Sequence, residues 1–85
     1  MVTKIRLYVR TADDSWHRKI LNIESDLPKS AEVQGGRLKI DDHWLEHVRL
    51  VAWDEDDGRW MAVCGEVVPD DLVTKPGWQA TEKPG

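Results

Sequence analysis

The residues that most suggest chemistry stand together at His43-Trp44-Leu45-Glu46-His47, which satisfies the H-x-x-E-H order of inverted zinc proteases. On a helix the two imidazoles would share a face and hold Zn²⁺, with Glu46 as the general base. The surrounding residues argue for a different backbone. Val48-Arg49-Leu50-Val51-Ala52-Trp53 is rich in β formers and runs into a turn. In an extended chain two histidines four positions apart lie about 13 Å from each other. No third ligand stands out, and 85 residues leave little scaffold for a peptidase cleft. A zinc hydrolase acting through His43-x-x-Glu46-His47 is therefore the least favoured reading. The expectation is a non-enzymatic chain with no catalytic residue, no metal and no cofactor.

Other arrangements fail on spacing. Asp54-Glu55-Asp56-Asp57-Gly58 gathers carboxylates, yet an EF-hand started at Asp54 needs Gly at its sixth position and Glu at its twelfth, where the chain has Arg59 and Gly65. Ser15 and His17 are two apart with no oxyanion feature beside them. Gly35-Gly36 lacks the Lys-Ser/Thr of a phosphate-binding loop. Cys64 is the one cysteine, in the apolar run Met61-Ala62-Val63-Cys64, so it reads as a buried thiol without a disulfide partner. A lone cysteine fits a reducing, cytoplasmic setting better than secretion. Met-Val-Thr-Lys-Ile has neither the pattern of a signal peptide nor that of a membrane span.

The elements that must carry these residues are strands. Lys4 to Arg10 alternates, with Ile5, Leu7 and Val9 on one side and Lys4, Arg6, Tyr8 and Arg10 on the other. Thr11-Ala12-Asp13-Asp14-Ser15 is turn chemistry, and Trp16 to Ile23 reads as the returning strand. Residues 24–34 read as loop, interrupted by Pro28. Arg37 to Ile40 is a short strand with Asp41-Asp42 as its turn. His43 to Trp53 reads as a strand bulged near Glu46-His47, with Trp44, Val48, Leu50 and Ala52 on one face. Asp54 to Gly58 closes a hairpin that sets Trp53 opposite Trp60. Arg59 to Val68 is the last strand, and Gly65 within it marks a bulge or a close backbone approach. Trp16, Trp44, Trp53 and Trp60 are expected to supply much of the core, because each aromatic side chain buries about 150 to 250 Å².

The implied fold is mainly β: a single small antiparallel five-stranded sheet, strongly bent or closed into an SH3-like barrel. An open sheet carrying a short helix from the Pro28 to Gln34 region is the alternative. Residues 1–68 form the domain, and residues 69–85, with two Lys-Pro-Gly triplets, form a flexible C-terminal tail. Trp78 in that tail either docks on the domain or anchors a partner.

Charge separates along the chain. Residues 1–20 carry a net +3, from Lys4, Arg6, Arg10, Arg18 and Lys19 against Asp13 and Asp14. Residues 41–71 carry a net −8, and the whole chain −4. The leading expectation is a small protein-interaction domain whose acidic turns, Asp41, Asp42, Asp54, Glu55, Asp56 and Asp57, meet a basic protein surface, with Trp78 as anchor. An inhibitor or accessory subunit of a nucleic-acid-handling complex fits that description. The alternative is a nucleic-acid-binding small β-barrel using Lys4, Arg6, Tyr8 and Arg10 on the basic first hairpin. The acidic balance of the chain, with a pI near 5.2, weighs against it. Adjacent strands of opposite sign would cancel the two fields.

Overall fold

The computed structural model describes residues 3–23, 36–40 and 43–84. Strand β1 (Thr3–Thr11) and strand β2 (Trp16–Ile23) form the expected antiparallel hairpin, with Leu7 opposite Lys19 and Tyr8 opposite Arg18. Its turn is tied by short-range bonds. The Thr11 main-chain N–H donates to the Ser15 carbonyl and the Asp14 N–H to the Thr11 carbonyl, both at 3.0 Å. Asp14 takes the left-handed conformation (φ 67°), which an Asp side chain tolerates better than most.

Strand β3 (Leu38–Ile40) pairs with β4 (His43–Leu45) in a separate two-stranded ladder. Strand β5 (Val48–Asp54) and strand β6 (Arg59–Val68) form the second hairpin. The short helix α1 (Asp70–Val73) and strand β7 (Gln79–Thr81) complete the chain. The main sheet has the order β5-β6-β1-β2-β7, and β1 runs parallel to β6 while the other neighbours are antiparallel.

The β class and the two hairpins, with their turns at residues 12–15 and 54–58, agree with the sequence reading. Several finer expectations do not. The sheet is mixed and does not close into a barrel, because β5 and β7 remain its two edges. The short helix lies at Asp70–Val73, whereas the Pro28 to Gln34 region lies outside the described residues. The stretch after Pro69, read as a flexible tail, carries α1 and β7, and β7 pairs with Trp16, His17 and Arg18 of β2. Leu72 explains part of this docking, being the buried residue of α1, and Trp78 packs against the core from the segment between.

The segment His43 to Trp53 is extended, but it is two strands in two ladders rather than one bulged strand. His47 breaks it with a left-handed backbone (φ 57°), and the His47 carbonyl accepts the Gly65 N–H at 3.0 Å. A Cβ at Gly65 would stand 3.2 Å from that carbonyl oxygen, so a close approach is what this glycine permits. The break shifts the alternation: Leu45 and Val48 point inward, and Trp44 is left half exposed.

The core is consequently aliphatic. Ile5, Leu7 and Val9 of β1 are at most 1% exposed and cluster with Ile40, Leu45, Val48, Ala62, Cys64, Val68 and Leu72. Burying one such Leu, Ile or Val stabilises by about 1.5 to 3 kcal/mol. Of the tryptophans expected inside, Trp60 packs against this cluster only in part. Trp53 meets Trp60 edge-on, with ring centroids 5.6 Å apart, as the hairpin register required.

Leu7 is fully buried on the strand that joins both halves of the sheet, so its truncation tests this packing. Leu7→Ala should lower the unfolding free energy by about 2 to 5 kcal/mol in urea titrations followed by Trp fluorescence, and a loss below about 1 kcal/mol would contradict the assigned core.

Candidate interaction surfaces

The hairpin tip between β5 and β6 is built by its own first residue. Asp54 Oδ1 accepts the main-chain N–H groups of Asp56 at 3.0 Å and Asp57 at 3.3 Å. The Gly58 N–H donates to the Asp54 carbonyl at 2.8 Å, and Gly58 adopts the positive φ (65°) that closes the turn. Glu55, Asp56 and Asp57 are left exposed. Because β1 lies beside β6, its basic outer face reaches this tip. Arg6 Nη2 donates to Asp57 Oδ2 at 2.5 Å, and Nη1 stands 4.0 Å from Asp54 Oδ2. With Asp57 44% exposed, such a pair contributes about 0 to 1 kcal/mol. Its main effect is geometric, in holding the tip against the sheet. The Tyr8 hydroxyl beside it, and then Asp57, raise the Arg6 pKa above its ordinary value against the opposing cost of burial.

The remaining acidic turns lie elsewhere. β1 and β6 run in the same direction, so Asp13 and Asp14 at the end of β1, with Asp70 and Asp71 after β6, occupy the end of the sheet opposite the 54–58 tip. Asp13 accepts a short hydrogen bond from the Thr11 hydroxyl and another from the Ser15 N–H at 3.3 Å, which hold its carboxyl below the usual range. Asp14 pairs with Arg10 at 3.3 Å. Asp41 and Asp42 lie outside the described residues. The acidic turns that are described thus sit at two ends rather than on one surface.

The basic set is divided as well. Lys4 is exposed, but Arg6 and Arg10 each hold a carboxylate, and Tyr8 is only 6% exposed. A ring so covered offers no face for a base to stack on. Ile20 stands half exposed on the same sheet face, opposite Arg6.

Trp78 sits between α1 and β7, half buried against the core. Lys19 Nζ stands 5.7 Å from its ring centroid and donates to the Pro76 carbonyl at 3.4 Å. Sequence spacing could not anticipate this cation–π seat, which depends on β7 reaching β2.

The His43/Glu46/His47 trio is dispersed by the break at His47. His43 faces Ile40 in the small ladder, while Glu46 pairs with Arg37 at 3.1 Å and its main-chain N–H donates to the Glu66 carboxylate at 2.7 Å. Among the described residues no group of three or more His, Cys, Asp or Glu side chains is placed to hold a metal ion. No helix is long and apolar enough to cross a membrane among those residues. No protein-family profile matches the chain, and neither a curated protein nor a solved structure matches it significantly.

Cys64 is 2% exposed and its thiol donates to the Glu46 carbonyl at 3.4 Å. Burial pushes the thiol pKa up, so fewer thiolates are present at mildly alkaline pH than for a free cysteine. Iodoacetamide should therefore modify Cys64 at least about tenfold more slowly in the native protein than in urea, read by mass spectrometry, and equal rates would contradict its placement.

Proposed function

We propose that the chain is a non-enzymatic interaction domain that offers its acidic 54–57 hairpin tip to a basic protein surface, in the manner of an inhibitor or accessory subunit of a nucleic-acid-handling complex. The observation that carries this reading is the construction of the tip. Asp54 turns its side chain inward to organise the loop, Arg6 braces Asp57, and Glu55, Asp56 and Asp57 project from a turn that needs no further ordering when it binds. Preorganised charge of this kind favours association, since little conformational entropy is lost at the contact.

The tip alone carries the contact in this proposal. Asp13, Asp14, Asp70 and Asp71 lie at the far end, where they steer a partner through the field without touching it. Trp78, seated on the core, acts as a brace for β7. A nucleic-acid-binding barrel is less well supported, because Tyr8 is buried and two of its arginines already hold carboxylates. A cytoplasmic setting belongs to the proposal too, on the strength of the lone buried thiol.

The experiment compares the full chain with a Glu55→Gln/Asp56→Asn/Asp57→Asn variant, each immobilised in a low-salt extract of the source cells. Partners held by the tip should be retained by the unaltered chain, lost from the variant by at least about tenfold, and eluted as ionic strength rises. Equal retention by both chains would remove the acidic tip from the contact.

A further inference from the structure

We propose that the sheet face carrying Arg6 and Arg18 holds a second binding site, a pocket between these two residues that takes a carboxylate side chain from an acidic peptide. It goes beyond the acidic-tip reading, since it uses another face and the opposite charge.

The pocket measures about 260 Å³ and is lined by Arg6, Arg18, Ile20, Gly77 and Gln79. The sheet register explains why these residues meet. Arg6 on β1 faces Ile20 on β2, Arg18 faces both Tyr8 on β1 and Gln79 on β7, and the two arginines are thus diagonal neighbours on one face. Their states differ. Arg6 spends Nη1 and Nη2 on the hairpin tip, with the Tyr8 hydroxyl beside it and its Nε buried. Arg18 has no carboxylate partner among the described residues. The Arg18 guanidinium therefore lines the pocket with its charge unanswered by a carboxylate, and an anion entering there would supply the missing partner.

Three observations favour a peptide carboxylate over a nucleic-acid phosphate. The lining contains no aromatic ring on which a base could stack. Ile20, 49% exposed, supplies an apolar contact suited to an aliphatic side chain beside the acid. The volume lies below the roughly 300 to 1,000 Å³ of pockets that enclose a whole small molecule, yet leaves room for an acidic side chain. The chain itself already displays the chemistry, because Asp57 occupies one edge of Arg6 as an internal carboxylate. That carboxylate competes with the ligand for the same guanidinium.

The test uses the full chain and a fluorescein-labelled peptide of alternating Glu and Val, read by fluorescence anisotropy at low salt. Binding should be saturable, weakened about tenfold by Arg18→Gln, and strengthened severalfold by Asp57→Asn, which frees Arg6 Nη2. The gain in Asp57→Asn cannot arise from misfolding, and matching circular dichroism spectra check the fold of Arg18→Gln. Unchanged affinity in Arg18→Gln, no gain in Asp57→Asn, or equal binding of a Gln-for-Glu peptide would each overturn the site. Tighter binding of an oligothymidylate of the same charge would overturn it in favour of a phosphate site. Asp57→Asn also separates the two proposals, since it should weaken a basic partner at the tip while strengthening the acidic peptide here.

Discussion

The parallel pairing of β1 with β6 is the constraint on which the rest of the structure depends. It sets β1 in the middle of the sheet, where Ile5, Leu7 and Val9 form the floor on which the β3–β4 ladder, α1 and Trp78 rest. It also joins residues more than fifty positions apart, so the central strand gains its second neighbour only after a long loop has closed. Sheets with such non-local pairings fold slowly compared with helical domains of equal size. Once formed, the pairing is covered on one face by the aliphatic core, which stabilises it by burial rather than by charge.

The same placement governs the electrostatics. A chain that is basic at its start and acidic after residue 40 would present two fields if its ends were apart. With β1 against β6, Arg6 meets Asp54 and Asp57, and part of the separation is cancelled within the sheet. What survives is an acidic tip at one end, acidic turns at the other, and arginines on the face between them. Both proposed contacts arise from what remains: the tip because three carboxylates still project, and the Arg6–Arg18 pocket because Arg18 has no carboxylate partner among the described residues.

Local pattern made the strands legible, and long-range pairing did not. Alternation in Lys4 to Arg10 and the Asp-Gly turn at 57–58 are signals that a few neighbouring residues carry, and both led to the observed hairpins. Gly65 was legible as a close approach, although its partner, the His47 carbonyl, was not. Nothing in β1 marks it as the neighbour of β6, because a half-buried strand reads alike in the centre of a mixed sheet and in an antiparallel hairpin. β7 escaped notice because three residues, Gln79 to Thr81, are too few to show a period. The tryptophans misled through size: their large apolar surface suggested the core, yet the left-handed His47 turned Trp44 outward. Tyr8 misled in the opposite sense, since alternation assigned it to the polar face while its neighbours there bury it.

Nuclear Overhauser contacts of β1 in the full chain test the central claim most directly. The central position of β1 predicts cross-strand contacts to both neighbours at once, with Leu7 beside Ala62 in a parallel register and beside Lys19 in an antiparallel one. A spectrum in which β1 contacts only β2, leaving β6 with β5 alone, would make β1 an edge strand. It would separate Arg6 from the hairpin tip and contradict the arrangement on which both proposed surfaces rest.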